Sequence, residues 1–205
     1  KMKKLFLLIG VLGLFVQSFA QSLSIGHLDI VKWNTPYFVI NYSEVLEQPV
    51  NITYRVACID GTASRKGLDF HKESGIKTSD NEDYKNNVWD KGHMAPAASF
   101  NCNPDMLWET FTYMNCALQH EKLNRGIWKT LEERERYMSE WSGEMASVYI
   151  EVDFDQSTKR VPGGAAIPMG FYKEILFGDY RECYWFANTE PKSDELDDYK
   201  CECRN

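Results

Sequence analysis

From Val50 to Val56, apolar Val50, Ile52, Tyr54 and Val56 alternate with Asn51, Thr53 and Arg55, the period-two pattern of a strand with one face on a core. Just upstream, Tyr37 to Tyr42 is a β-branched and aromatic run following Pro36. The two segments predict an antiparallel pair turning around Glu47-Gln48-Pro49. Comparable runs predict strands over Val148 to Val152, Gly170 to Gly178 and Arg181 to Ala187. The stretch from Gly61 to Asn87 is polar and turn-rich, a surface excursion of the kind that often carries function. A 3.6-residue period is clearest from about Arg125 to Trp141, where Ile127, Trp128, Leu131, Met138 and Trp141 fall on one stripe with Lys129, Glu133 and Arg136 opposite or beside it. Asn124 is placed to act as the N-cap of that helix. Glu132 and Arg136, four residues apart, share a face at the edge of the stripe. Several strands with one clear helix predict an α+β domain, a mainly antiparallel β-sheet carrying helices.

Near the start, Lys3 and Lys4 precede the apolar run Leu5 to Val16, and the polar, small-residue stretch Gln17 to Gln21 follows. The run is shorter than the roughly 20 residues that span a bilayer. With Ser18-x-Ala20 as a cleavage signal, residues 1–20 are expected to be a signal peptide and the product secreted or periplasmic, without stable membrane association. Residues 21–205 then form one domain: a chain of 205 residues suits a single unit, and no repeat, low-complexity tract or linker divides it. All six cysteines (Cys58, Cys102, Cys116, Cys183, Cys201, Cys203) lie in that part, and an even number in an exported chain points to disulfides. Their spacing does not fix the pairing, and Cys201-x-Cys203 lacks the second ligand pair of a zinc site. A hydrophobic fraction of 43% excludes wholesale disorder. The formal charge of -7, which drops by three to -10 without Lys1, Lys3 and Lys4, argues against a polybasic coat for nucleic acid. Lys91, Arg125, Lys129, Arg134 and Arg136 nevertheless gather near the residues that carry chemistry.

Those residues begin with Trp89-Asp90-Lys91-Gly92-His93-Met94-Ala95-Pro96-Ala97-Ala98. If residues 89–93 are extended, Lys91 and His93 point to one face, and Gly92 admits a close neighbour. A cation beside an imidazole suits a phosphate ester, because the cation holds the anion while the neutral ring accepts a proton from water. Taken singly, each residue has a plainer reading: Asn124 as a cap, Glu132 and Arg136 as an exposed pair, Trp128 as core, and His27, His71 and His120 as surface groups. Asp153-x-Asp155 lacks the glycine and terminal glutamate of a calcium loop and is given no role.

A second block changes the weighting. Thr110-Phe111-Thr112-Tyr113-Met114-Asn115-Cys116-Ala117-Leu118-Gln119 is followed by Asn124-Arg125-Gly126-Ile127-Trp128-Lys129-Thr130-Leu131-Glu132 and then Arg136. Together the blocks resemble the DNA/RNA non-specific endonucleases of the ββα-metal (His-Me finger) superfamily, whose pattern is D-R-G-H-x-A-P, then T-N-x-x-P-Q, then N-x-G-x-W-x-x-L-E with an arginine four residues on. The resemblance implies a ββα-metal finger, DNA and RNA as substrates, and Mg²⁺ as cofactor with Mn²⁺ as a substitute. It further implies that His93 is the general base, Asn124 the direct metal ligand, Glu132 a partner of the metal through water, and Arg136 a holder of phosphate. Lys91 stands where the family has arginine, keeping a charge for catalysis and substrate binding but losing the bidentate fork. Asn115 and Gln119 match positions that buttress the site, the first among the catalytic groups and the second beside the substrate. Arg65, in the polar excursion and in competition with Lys66, matches a further phosphate-contacting arginine, and Leu118 replaces a proline. The implied activity is secreted, Mg²⁺-dependent hydrolysis of phosphodiester bonds without base or sugar specificity. The alternative is a catalytically weakened secreted nucleic-acid-binding module of the same fold, with Lys91 as its first sign of decay, and a disulfide-stabilised adhesion domain comes third.

Overall fold

A computed structural model describes residues 29–204. The expected signal peptide over residues 1–20 and His27 lie outside them. Strands β1 (Ile30–Asn34), β2 (Phe38–Ser43), β3 (Gln48–Arg55), β6 (Ser147–Asp153), β7 (Gly170–Phe177) and β8 (Tyr180–Ala187) form one sheet in the order β1-β2-β3-β6-β7-β8. Every neighbouring pair is antiparallel. The alternation read from the sequence sets the faces, for Ile52, Tyr54 and Val56 are buried while Thr53 and Arg55 are exposed. The turn differs from expectation. It lies before Gln48, with Glu47 at φ 54°, and Pro49 sits inside β3 opposite Tyr42, where the register shifts. A proline is tolerated there because the irregular ladder does not need its missing N–H.

The second layer is a small antiparallel pair, β4 (Trp89–His93) and β5 (Cys116–His120), followed by helices α2 (Glu121–Leu123) and α3 (Lys129–Ser142). Between the paired strands lies a further helix, α1 (Pro104–Glu109), capped by Asn103. The helix expected from Arg125 is shorter than predicted, because residues 124–128 form a wide turn in which Gly126 leaves helical geometry at φ -104° and ψ -117°. Asn124 itself is helical, at φ -57° and ψ -48°, so it is not an N-cap. The predicted stripe is buried at Ile127, Trp128 and Leu131, but Trp141 is 74% exposed, because toward the end of α3 the buried side is carried by Glu135 and Ser139.

The core joins the two layers. Trp128 packs on Phe171 and Phe186 at ring-centroid distances of 5.5 and 5.6 Å, and removing such a side chain costs about 3 to 5 kcal/mol. A buried Lys173–Glu135 ion pair crosses the same interface, with the Tyr54 hydroxyl donating to Glu135 at 2.6 Å. Disulfides join Cys58 to Cys102 and Cys183 to Cys203, leaving Cys116 buried and Cys201 exposed as thiols. Among the described residues no helix is long and apolar enough to cross a membrane.

Candidate active site

The end of β4, the wide turn at Asn124 and the first two turns of α3 converge on one open cavity of about 400 Å³. Its lining includes Arg65, His93, Asn124, Arg125, Lys129, Glu132 and Arg136. The spacing of Glu132 and Arg136 on α3, read as a shared face, thus brings them to the same space as His93 and Asn124, which come from other elements.

His93 closes β4 and is packed between aromatic rings, with Phe70 and Phe111 at centroid distances of 4.8 and 4.9 Å. Burial, and then the positive charge of Arg65, hold its pKa down at about 3. The imidazole is therefore neutral near pH 7, with a lone pair available to accept a proton. Its Nε2 is buried without a hydrogen-bond partner.

Asn124 is oriented by a residue that the sequence reading passed over. Its Nδ2 donates to Asp90 Oδ2 at 2.8 Å. Asp90 also accepts a fork from Arg125, whose Nε and Nη2 stand at 2.8 and 2.6 Å. With Nδ2 engaged, and no bond to Oδ1 among the described residues, the amide oxygen is left for a cation.

Glu132 and Arg136 stand above the buried Lys173–Glu135 pair. Desolvation raises the Glu132 pKa to about 7 against the lowering charge of Lys173, with the negative Glu135 adding to the rise and Arg136 opposing it. Arg136 has a buried Nη1 without a partner, an unsatisfied cationic donor of the kind that an anion satisfies. Arg65 reaches the rim from the exposed loop.

Three expected site residues lie elsewhere. Lys91 shares a strand face with His93 as predicted, but Phe70 stands between them. The Lys91 ammonium lies 5.2 Å from both the Phe70 and Tyr113 ring centres, near Asp69 and bonded to Asn81. It is not among the residues that line the cavity; aromatic rings, Asp69 and Asn81 surround it instead. Asn115 is fully buried and clamps the chain after His93, accepting from Ala95 N at 2.8 Å and donating to Ala95 O and Thr110 O at 2.9 Å each. That makes it a buttress, not a group that touches reactants. Gln119 is buried against Gly92 and is not among the residues that line the cavity. Of the basic residues expected near the site, Arg134 is instead forked onto Glu182. His71, expected at the surface, is half-buried and stacked on Trp108.

Comparison with known proteins places this geometry among relatives. A family model described as DNA/RNA non-specific endonuclease matches residues 26–205. The chain is 30% identical over 149 residues to a mitochondrial nuclease EXOG of Danio rerio, covering 66% of this chain and 40% of that protein. It is 29% identical over 114 residues to a nuclease of Serratia marcescens, covering 50% of this chain and 42% of the relative. The matched region thus spans less than half the length of these relatives. The fold is similar to a chain in the crystal structure of the EndoG/EndoGI complex, with a TM-score of 0.71, 22% identity, and coverage of 83% of this chain and 80% of the other.

Proposed function

The chain belongs to the DNA/RNA non-specific endonuclease family, and on that premise we propose that it is a secreted endonuclease that uses Mg²⁺ to hydrolyse the phosphodiester bonds of DNA and RNA without base or sugar specificity. The observation that carries this reading is a single cavity uniting a neutral imidazole, a guanidinium nitrogen without a partner and an amide whose oxygen is unengaged. His93 is the general base, taking a proton from water as the water oxygen attacks phosphorus, a role worth roughly 10²- to 10⁴-fold in rate. Arg136 holds the phosphate and offsets the charge that grows there, with Arg65 contacting phosphate from the rim. These groups address the backbone rather than base edges, which suits both DNA and RNA.

The donor set fits a hard divalent cation. Asn124 Oδ1 and the Glu132 carboxylate offer oxygen, and the described residues contain no group of three or more His, Cys, Asp or Glu suited to a metal. Asn124 would hold such an ion directly and Glu132 through water, a sparse ligand set that would suit Mg²⁺, which sheds its water reluctantly. When bound, Mg²⁺ would supply Lewis-acid stabilisation of the phosphate and the leaving oxygen, and Mn²⁺ shares its preference for such ligands. The two disulfides support an oxidising compartment and hence export. The alternative, a catalytically weakened nucleic-acid-binding module of the same fold, predicts binding without cutting in the test below.

The test is incubation of the protein with plasmid DNA and with RNA, in Mg²⁺ or EDTA, beside a His93→Ala control. Both substrates are expected to be cut by the parent with Mg²⁺ only, and not by the variant. Cutting of RNA alone, unaffected by EDTA, would remove the metal from the proposal.

A further inference from the structure

Trp108, on α1, is 47% exposed yet stacked on a neighbour. Its indole lies flat on the His71 ring, with centroids 4.0 Å apart and planes 8° from parallel. The backbone fixes both partners: His71 N–H donates to Phe111 O, Tyr113 N–H to His71 O and Phe111 N–H to Trp108 O, each at 2.9 Å. Phe111 is the ring packed on His93 at 4.9 Å. Leu107, beside Trp108, packs with Ala97, which lines the cavity. A preformed aromatic face, covered on one side by His71, is thus tied through Phe111 and Leu107 to the elements that form the candidate active site, though Trp108 itself does not line the cavity.

Its surroundings select the ligand. Glu73 stands 3.5 Å from His71 Nε2, and Glu109 follows Trp108 in the chain. Two carboxylates disfavour a phosphate at this corner, whereas the neutral face of a base meets no such penalty. Only an unpaired base offers that face, and stacking on a side chain already immobilised sacrifices little conformational freedom.

We propose that Trp108, backed by His71, is a stacking platform for an unpaired nucleobase of the substrate strand. The proposal rests on the nuclease reading above and adds a subsite that binds base rather than backbone.

The experiment is steady-state cleavage, with Mg²⁺, of a single-stranded oligonucleotide and of the same oligonucleotide carrying abasic sites, by the parent and by Trp108→Ala, Trp108→Phe and Trp108→Leu. Stacking contributions of the usual size predict that Trp108→Ala raises KM about fivefold or more. The kcat is expected to stay within twofold, since Trp108 touches no reacting atom. Trp108→Phe should recover most of the affinity and Trp108→Leu little, at equal thermal stability, and the differences should vanish on the abasic strand. An unchanged KM in Trp108→Ala, or Leu serving as well as Phe, with the parent active, overturns the platform and leaves the nuclease reading standing. A parent that cuts neither oligonucleotide overturns both.

Discussion

At the scale of single residues, Asp90 carries more of the site than its quiet place in the sequence indicates. It holds Asn124 and Arg125 at once, so its loss frees the amide to rotate. Asp90→Ala should lower both Mn²⁺ affinity and cleavage by about 10- to 100-fold, with the fold kept; unchanged metal titration would show that Asn124 is oriented by other means. His93 and Glu132 have opposite linkage. The His93 pKa is depressed from the ordinary 6.5 to about 3, so the unfolded chain takes up the proton first and this contribution to stability, present above pH 6.5, is lost as pH falls toward 3. Glu132 is raised from 4.5 to about 7, so its contribution is present below pH 4.5 and is lost as pH rises through 7. In EDTA, Glu132→Gln should therefore raise the melting temperature at pH 8 relative to the parent and much less at pH 4.5, while activity with Mg²⁺ falls. Equal shifts at both pH values would contradict the burial argument. The low His93 pKa also implies that, with metal saturating, activity persists well below pH 6.5. Arg65→Ala removes the second cause of that depression and should move the acidic limb of the rate profile upward, as a pH series on both proteins would show.

At the scale of elements, the small β4–β5 pair positions His93 at the candidate site, and its tightest point is Gly92. A Cβ added there would come 2.6 Å from Gln119 Cβ, which is part of the opposing strand and cannot swing away. Gly92→Ala should cost about 1 to 3 kcal/mol and displace His93, one residue on. Denaturant unfolding beside a cleavage assay tests this, and a fully active, equally stable variant would refute it. The legibility of the chain follows the same division. The large sheet was readable because one face of it is buried, and burial writes period two into β2, β3 and β6. The helix was readable at Ile127, Trp128 and Leu131 for the matching reason. β1 and α1 were not, since one is an edge strand and the other a six-residue helix, too short to show a period. Glu132 and Arg136 share a face as their spacing predicted; Asn124 reaches the same cavity from the wide turn rather than as a helix cap, and it and His93 were singled out through the family pattern. For Lys91, strand alternation gives a face but not what fills it, and here Phe70 and Tyr113 fill it. Asp90 was missed because its role depends on a contact 34 residues away in sequence.

At the scale of the whole molecule, the two disulfides are expected to do different things. Cys58–Cys102 closes a segment with a sequence separation of 44 that contains Arg65, Phe70 and His93. Beside it, Ala57 N–H donates to Ser99 O at 3.1 Å and Ala63 N–H to Asn101 O at 2.9 Å, while Asn101 Nδ2 donates to Gly61 O at 2.9 Å. This ties the loop bearing Arg65 to the wall formed by Pro96, Ala97 and Ala98. Cys183–Cys203 instead anchors the chain end, where Arg204 meets Asp153 at 2.7 Å, and neither cysteine lines the cavity. Breaking either bridge by paired serine substitution should lower stability, typically by about 2 to 4 kcal/mol. Only the Cys58→Ser, Cys102→Ser pair should also raise KM for nucleic acid, because Arg65 then leaves its place at the rim. The Cys183→Ser, Cys203→Ser pair should keep the parental KM while losing stability. The comparison requires denaturant unfolding of all three proteins, then cleavage kinetics at a temperature where each is folded. If both pairs change KM equally, the first bridge has no particular hold on the site, and Arg65 must be positioned by the hydrogen bonds around it.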